Sequence, residues 1–279
     1  KEKNRVAWGA LITGYALHGD IRLAFEYFHE MQEQGVEPDE TLMLCLLNTC
    51  SGSRQVRHIH RLVMQSKFDS HIEIANALVN VYQKAGNLFE AHKVFDGIPN
   101  KDVVSWNALI AGYAAHGQSE KIFFCLKCMQ CEGISPDLIT YVFGLKACGN
   151  IQDNVEILKI LHANAVTKGF EADPRIGSSL VDAYAKCGFL LNAHEVLKKL
   201  QIKDVITWTT LIGGYARQEY AEDALDCYMQ MRLEGFNPNA ITLVCILQAC
   251  STVRDIHMGI EIHAEAARKG YIEGGINLP

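Results

Sequence analysis

The chain has 279 residues, a hydrophobic content of 49% and a formal net charge of −6. This much apolar material can build a continuous core, which argues against a disordered chain. The acidic balance argues against non-specific adhesion to nucleic acid, because such binding depends on an excess of basic residues. No apolar run reaches the roughly 18 residues of a membrane-spanning helix, so we expect no membrane partner.

The ten cysteines are scattered along the chain and often lie within apolar helical phrases. This distribution is typical of reduced, packed thiols and not of a secreted disulfide framework. We therefore expect an intracellular or organellar protein, and we expect any targeting peptide to lie upstream of the printed sequence.

The first predicted unit covers residues 5–39. Apolar residues recur at i, i+3, i+4 and i+7 in two successive stretches, which predicts two helices. Gly35 and Pro38 then end the second helix, since glycine readily takes the left-handed cap conformation and proline cannot continue a helix. The same pattern returns at 103–137 and 205–239. One position of its first helix carries every tryptophan of the chain: Trp8, Trp106 and Trp208.

Two other kinds of helical pair lie between these copies. A looser kind carries a cysteine in its first helix and a histidine in its second, at 40–71, 138–173 and 240–275. A shorter kind, at 72–102 and 174–204, shares the phrases LVNVYQKAG and LVDAYAKCG. A period near 35 residues, built from two antiparallel helices, predicts an α-solenoid, because neighbouring pairs must stack to bury their apolar faces.

Three phrases resemble a known family: KDVVSWNALIAGYAAHG at 101–117, LVDAYAKCGFLLNAHEVLKKL at 180–200 and MRLEGFNPN at 231–239. They are similar to the pentatricopeptide repeat (PPR) family, specifically its PLS class, in which P, L and S repeats alternate. The resemblance implies an all-α fold, a right-handed α-solenoid superhelix of about eight helix-turn-helix repeats in a single domain. The implied boundaries are P repeats at 5–39, 103–137 and 205–239, L repeats at 40–71, 138–173 and 240–275, S repeats at 72–102 and 174–204, and the start of a further S repeat at 276–279.

The resemblance also implies a function, sequence-selective binding of single-stranded RNA with one base per repeat. Through its class, the chain resembles the target-recognition part of organellar C-to-U RNA editing factors, which act in mRNA processing in the mitochondrion or chloroplast. It implies no cofactor and no enzymatic activity of these repeats, so a deaminase, fused downstream or recruited, would perform the chemistry. The expected footprint is roughly eight nucleotides.

Site residues follow from the family's reading positions, the fifth and the last residue of each repeat. The implied bases are U for 72–102 and 103–137, G for 174–204 and A for 205–239. An apolar residue at the second position of each P repeat would pack against the base. The base-reading pairs are Gly9 with Asp39, Asn76 with Asp102, Asn107 with Asp137, Ser178 with Asp204, and Thr209 with Asn239. The base-packing residues are Val6, Val104 and Ile206.

Several positions depart from this pattern. Gly9 has no side chain to offer a base. Glu73 and Arg175 stand where an apolar base-packing residue is preferred, and a carboxylate there repels RNA. The L repeats carry aliphatic residues at the reading position, which can neither donate nor accept hydrogen bonds. These residues are Leu44, Val142 and Val244.

Basic residues recur near the end of the first helix at Lys84, Lys186 and Arg217. Two interpretations stay open for them. They can contact RNA phosphates in the groove, or they can serve solubility alone, since the net charge offers no support for strong phosphate binding.

Other motifs have simpler interpretations than catalysis or metal binding. Cys125, Cys128 and Cys131 drift around a helix at i, i+3 and i+6, so we predict core or surface thiols and no metal site. His71 and Glu73 match the H-x-E half of a zinc deaminase signature, but no P-C-x-x-C follows. A histidine recurs in the second helix of each L repeat, which indicates a role in repeat architecture. These histidines are His60, His162 and His263.

A second hypothesis is a protein-binding scaffold that docks accessory editing or RNA-processing factors at the L repeats. The aliphatic reading positions, Gly9 and the negative net charge favour this alternative. The two hypotheses are compatible, because one surface can bind RNA while another binds protein.

Overall fold

The computed structural model describes residues 4–50, 52–66, 68, 70–150 and 155–271. Within these residues the chain is entirely helical, with sixteen α-helices, one short 3-10 turn at Phe170–Ala172 and no β-strand. The helices group into two compact units, Lys1–Pro136 and Asp137–Pro279. The proposed start of a further repeat at 276–279 lies outside the described residues.

The first unit contains four helix pairs. The first helix of each pair contacts the first helix of the next pair, and the second helices pack along these first helices as an outer layer. The bounds are α1 (Arg5–Leu17), α2 (Ile21–Glu33), α3 (Glu40–Thr49), α4 (Ser53–Gln65), α5 (Ile72–Lys84), α6 (Leu88–Asp96), α7 (Val103–Ala115) and α8 (Ser119–Cys131).

The second unit repeats this arrangement, with its own layer of first helices in contact with one another. Its bounds are α9 (Leu138–Cys148), α10 (Val155–Thr167), α11 (Pro174–Lys186), α12 (Leu190–Lys199), α13 (Val205–Arg217), α14 (Ala221–Leu233), α15 (Ala240–Val253) and α16 (Ile256–Arg268). The predicted all-α array of helix pairs is confirmed, and two helices lie within each of the eight complete repeat ranges. The repeat boundaries themselves remain predictions.

The three tryptophans are core residues, none more than 4% exposed. Trp106, for example, packs edge-on against Phe95 with ring centroids 4.7 Å apart. Gly117 ends α7 at a φ of 66°, a left-handed conformation that costs a glycine little because it has no Cβ. Burial of such large aromatic side chains dominates the energetics of stacking one helix pair on the next.

Histidines of the second helices bind tyrosines of the next first helix. His60 Nδ1 lies 2.7 Å from Tyr82 Oη, and His162 Nδ1 lies 3.0 Å from Tyr184 Oη. The same bond occurs at two histidines that the sequence reading did not single out. They are His92, 2.8 Å from Tyr113 Oη, and His194, 3.2 Å from Tyr215 Oη. These bonds agree with an architectural role for His60 and His162, because each joins two successive pairs.

Candidate nucleic-acid interface

The last residue of each predicted base-reading pair is the N-cap of the following first helix. In each case the side-chain Oδ1 accepts a hydrogen bond from the backbone N–H of the third helical residue, which satisfies one of the free donors at a helix start. The donor–acceptor distances are 2.9 Å for Asp39, 2.8 Å for Asp102, 2.9 Å for Asp137, 2.7 Å for Asp204 and 2.9 Å for Asn239. The sequence reading missed this role, although Asp or Asn before an apolar run signals it.

A buried hydroxyl holds most of these caps in place. Ser105, Thr140, Thr207 and Thr242 are the third residues of their helices and are at most 3% exposed. Each hydroxyl donates to the same Oδ1 that accepts the backbone bond, at 2.9, 2.8, 2.6 and 3.0 Å respectively. In Asp102, Asp204 and Asn239, Oδ1 is occupied twice, so the outer atom of the cap, Oδ2 of an aspartate or Nδ2 of Asn239, is the one available to a ligand among the described residues.

An exposed aliphatic side chain stands two residues after four of these caps and after Asn4, the N-cap of α1, whereas the residue at this distance from Asp39 is Thr41. The predicted base-packing residues Val6, Val104 and Ile206 are 57% to 78% exposed, although each belongs to an otherwise apolar helix. Ile139 and Ile241 occupy the same second position in α9 and α15 and are also exposed. The sequence reading considered only the P repeats here. Superposing the L repeats on them in sequence would have found both isoleucines.

One predicted reading pair is joined directly. Thr209 Oγ1 lies 2.6 Å from Thr242 Oγ1 on the next first helix, and Thr242 in turn donates to Asn239. Thr209 Oγ1 also lies 2.7 Å from the Val205 carbonyl oxygen within its own helix, so its single proton is shared between this carbonyl and Thr242 Oγ1. The fifth residue and the last residue of this predicted repeat therefore meet at one buried hydroxyl.

Asn76 has a different environment at the same position. It is 8% exposed, and its Oδ1 finds no hydrogen-bond partner among the residues that the structure describes. Its predicted partner Asp102 caps α7, the first helix that packs on α5. A buried amide oxygen without a partner costs about 1–3 kcal/mol, so a rotation of the Asn76 side chain that brings this oxygen to a donor on a ligand would remove the cost.

Two of the remaining pairs, those of Ser178 and Gly9, are less directly connected. Ser178 donates to the Pro174 carbonyl within α11, and Asp204 caps the adjacent α13. Gly9 leaves Asp39 as the only side chain of its pair. Asn107 is half-buried on α7 in the first unit, whereas Asp137 caps α9 in the second unit.

The departures from the family pattern have structural counterparts. Val244 is exposed, while Leu44 and Val142 are half-buried. Arg175 donates to both carboxylate oxygens of Asp173, the N-cap of α11, at 3.0 and 2.9 Å. These hydrogen bonds lower the pKa of Asp173. Glu73 is exposed in the first turn of α5, so it presents its charge to solvent.

The basic candidates lie at the opposite end of the first helices. Lys84, Lys186 and Arg217 are the exposed last residues of α5, α11 and α13. Each is eight residues beyond the fifth position, or about 12 Å along the helix axis. Lys186 Nζ is 2.7 Å from Asp182 Oδ2, so it is already ion-paired. Cations at helix C-termini are also favoured by the helix dipole, so both interpretations stay open.

The cysteine run and the His-x-Glu motif do not assemble a site. Burial raises the pKa of Cys125 to about 12, whereas Cys131 is exposed. His71 Nδ1 lies 3.7 Å from the carboxylate of Glu40. Among the described residues, no group of three or more His, Cys, Asp or Glu side chains can hold a metal ion. None of the described helices is long and apolar enough to cross a membrane.

Comparisons with known proteins show that the chain belongs to the PPR repeat family. The model of the PPR repeat family matches residues 3–62, 101–150 and 203–252, and a PPR repeat model matches 73–103 and 178–205. In Arabidopsis thaliana, "Pentatricopeptide repeat-containing protein At1g15510, chloroplastic" is 31% identical over 274 residues, which cover 96% of this chain and 31% of the relative. "Pentatricopeptide repeat-containing protein At3g09040, mitochondrial" is 31% identical over 278 residues, which cover 99% and 27%. The chain thus spans about a third of the length of these relatives.

A solved structure shows the same fold. The pentatricopeptide repeat protein PPR10, crystallised in complex with an 18-nt psaJ RNA element, superposes with a TM-score of 0.77 at 21% sequence identity. The match covers 96% of this chain and 41% of PPR10. At this identity the likeness concerns the fold alone, and it confirms the predicted α-solenoid class.

Proposed function

Because the chain belongs to the PPR repeat family, we propose that it is a sequence-selective module for single-stranded RNA in which each repeat addresses one base. The observation that carries the proposal is the repeated edge of the first helices. There, an exposed aliphatic side chain stands two residues after a polar N-cap residue. The outer polar atom of that N-cap side chain can bind a ligand. Such an edge offers apolar contact to the face of a base and hydrogen bonds to its rim.

The chemistry of each cap favours a class of base. The outer oxygen of an aspartate accepts a hydrogen bond, as from N3–H of uracil, so Asp102 and Asp137 favour U together with an asparagine at the fifth position. The outer nitrogen of Asn239 donates, which suits N1 of adenine in combination with Thr209. Asp204 with Ser178 favours G, whose edge presents N1–H and N2–H₂. The pair Gly9 with Asp39 and the L repeats discriminate weakly.

The proposal places the chain in the PLS class. The alternation of repeat lengths supports it, and so does the eleventh position of the first helix. That position is a tyrosine in the P and S repeats and a cysteine in the L repeats, at Cys50, Cys148 and Cys250. Within this class we propose a role as the target-recognition part of an organellar C-to-U editing factor, acting on a mitochondrial or chloroplast transcript. The names of the relatives support both organelles.

A titration tests sequence-selective binding. We expect the chain to bind a short RNA containing UUxGA at least about tenfold more tightly than a scrambled RNA of the same composition, because mismatched bases leave polar atoms unpaired. Fluorescence anisotropy at fixed salt measures both affinities. Equal affinities would contradict base reading.

A pair of variants tests the base-packing edge. Val104→Ala with Ile206→Ala removes apolar contacts to two bases and should weaken RNA binding about tenfold, since base stacking contributes roughly 1–3 kcal/mol per base. The control, Leu191→Ala with Leu233→Ala, removes two aliphatic side chains from the second helices that are even more exposed, at 77% and 85%. It should bind RNA as the unaltered chain does.

A protein-binding scaffold is the second candidate, and the outer helices favour it. Phe89, Phe124 and Leu191 are 63% to 77% exposed on second helices, away from the edge described above. Exposed apolar groups of this size are typical of protein-binding surfaces. Accessory editing proteins are the proposed partners. These three side chains belong to P and S repeats, whereas docking at the L repeats rests on the aliphatic reading positions of those repeats. Partners from an organellar extract that stay bound after ribonuclease treatment would support this candidate.

A further inference from the structure

The second helix of the second pair, α4, carries a concentration of positive charge in an acidic chain. Its sequence SRQVRHIHRLVMQ contains three arginines, two histidines and no carboxylate. Arg54, Arg57 and Arg61 follow the i, i+3, i+7 spacing and therefore share one helical face. We call this face, together with the two cavities beside it, the arginine face.

The arginines are available to a ligand. All three are exposed, and none of them forms an ion pair with any carboxylate that the structure describes. Arg61 Nε donates only a long bond of 3.4 Å to the Arg57 carbonyl. A charge cluster that serves to stabilise its own fold is normally paired, so this one has a different explanation.

The repeat architecture does not require these arginines. Aligned on the recurring histidine, the same positions of α10 are Glu156, Lys159 and Ala163, and the first two are ion-paired at 3.0 Å. In α16 the positions hold a histidine, an isoleucine and an alanine. The arginine face is therefore a property of this one pair and not of the L repeats as a class.

Two cavities lie beside α4. One, of about 580 Å³, is lined by Arg54, Arg57, His60, Arg61, Met64 and Tyr82. The other, of about 440 Å³, lies between α2 and α4, with Phe25, His58 and Arg54 among its lining residues. Carboxylates are few here. Glu26 is 3.6 Å from Arg22, and Glu90 acts on His60 and Tyr82 from α6.

We propose that the arginine face binds an acidic, amphipathic polypeptide segment. Successive arginines are about 4.5 Å and about 6 Å apart along the helix axis, the rise between carboxylates at i, i+3 and i+7 of a partner helix. Guanidinium groups bind carboxylates through two parallel hydrogen bonds, which adds geometric specificity to the charge. Met64 and Phe25 offer apolar contact to the partner's non-polar side chains.

A polypeptide fits this place better than the RNA of the proposed function. Within the first unit, α4 packs through its buried face against the layer of first helices that carries the reading edge. An RNA strand whose bases lie along that edge is held by first-helix N-termini, whereas the arginines stand on the exposed face of a second helix. The inference therefore does not depend on RNA binding.

The test uses a fluorescein-labelled synthetic helical peptide with glutamate at i, i+3 and i+7 and leucine at flanking positions, titrated with the chain. We expect salt-sensitive binding that Arg54→Gln, Arg57→Gln and Arg61→Gln together weaken roughly tenfold or more, because three ion pairs with the peptide are lost. The control Lys127→Gln, Lys198→Gln and Lys199→Gln removes three exposed charges elsewhere and should leave the affinity unchanged. A peptide with glutamine in place of glutamate should not bind.

Charge reversal separates loss of the surface from loss of the fold. Replacing the three arginines with glutamate should abolish binding of the acidic peptide and create binding of the matched lysine peptide, which a misfolded chain cannot do. Equal affinity of the glutamine variant and the unaltered chain for the acidic peptide overturns the proposal. So does an arginine variant that loses affinity for a uridine-rich RNA while the peptide binds neither protein.

Discussion

Asn76 and Thr209 occupy the same position of two predicted repeats and are equally buried, yet they differ in whether their polar atoms are hydrogen-bonded. The hydroxyl of Thr209 is satisfied by the Val205 carbonyl and by Thr242 Oγ1. The Oδ1 of Asn76 has no partner among the described residues. Burial of a side chain at a reading position therefore does not predict whether its polar atom is hydrogen-bonded within the protein or lacks a partner that a ligand could supply.

The difference has a consequence for recognition. A base at Thr209 shares a hydroxyl that is already hydrogen-bonded, so little is gained when the base arrives. A base that donates to Asn76 removes the cost of an unsatisfied buried oxygen, about 1–3 kcal/mol. We therefore expect the repeat at 72–102 to discriminate between bases more strongly than the repeat at 205–239.

The largest effect is expected when the hydrogen bonds that connect Thr209, Thr242 and Asn239 are removed. Thr242→Val removes a fully buried hydroxyl that bonds both Thr209 and the Asn239 cap, and we expect a loss of about 2–3 kcal/mol in the free energy of unfolding. Urea denaturation measures this loss. Thr210→Val, which removes a more exposed hydroxyl bonded only to the Ile206 carbonyl, is the control and should change stability by less than about 0.5 kcal/mol.

The next largest effect is expected from variants that exchange a hydrogen-bond donor for an acceptor, or the reverse, at two N-cap residues. Asn239→Asp replaces the outer amide donor with an acceptor, so its repeat should shift its preference from A toward G by about tenfold. Asp204→Asn is the reciprocal change and should shift its repeat from G toward A. Competition titrations with RNAs that differ at one base measure both shifts. Unchanged preferences in both variants would exclude the caps from base reading.

A smaller effect is expected at Asn76 and Thr209, the fifth residues of their repeats, where the free energy of unfolding should change in opposite directions. Asn76→Leu replaces an unsatisfied amide with an apolar side chain of similar size and should raise the free energy of unfolding by about 1 kcal/mol, while lowering affinity for the U-containing RNA. Thr209→Val removes a satisfied hydroxyl and should lower stability by about 1 kcal/mol. If both variants shift stability in the same direction, the two sites do not differ as described.

The smallest effect concerns the pH at which these comparisons are made. Burial lowers the pKa of His60, His162 and His194 below the usual 6.5. The unfolded chain then binds more protons than the folded chain as the pH falls through this range, so stability should decrease below pH 6.5 and level off above it. Urea denaturation across this range measures the slope. His60→Gln should reduce this slope, because one of the three histidines with a lowered pKa is removed.

Much of the fold could be read from the sequence because its signals are local. The spacing of Trp106, Leu109, Ile110 and Tyr113 is a property of one helix, and the stop at Gly117 depends on one residue's conformational freedom. The base-packing positions of the P repeats came from the family resemblance and remain predictions, and the structure leaves these two valines and the isoleucine exposed. The N-cap roles of Asp102 and Asn239 could also have been predicted, because both residues directly precede apolar helices. They were missed because these residues were interpreted only as members of base-reading pairs.

The sequence by itself determined a tandem array of helix pairs and the positions where its copies vary, because apolar periodicity and helix stops act within a few residues. Only the tertiary structure decided which polar groups are satisfied. Thr209 meets Thr242 thirty-three residues later, and His60 meets Tyr82 twenty-two residues later. Among the described residues, it also decided that Asn76 Oδ1 is buried without a hydrogen-bond partner and that the arginines of α4 form no ion pair. These outcomes depend on how one helix pair packs on the next, and the spacing within a single helix does not encode that packing.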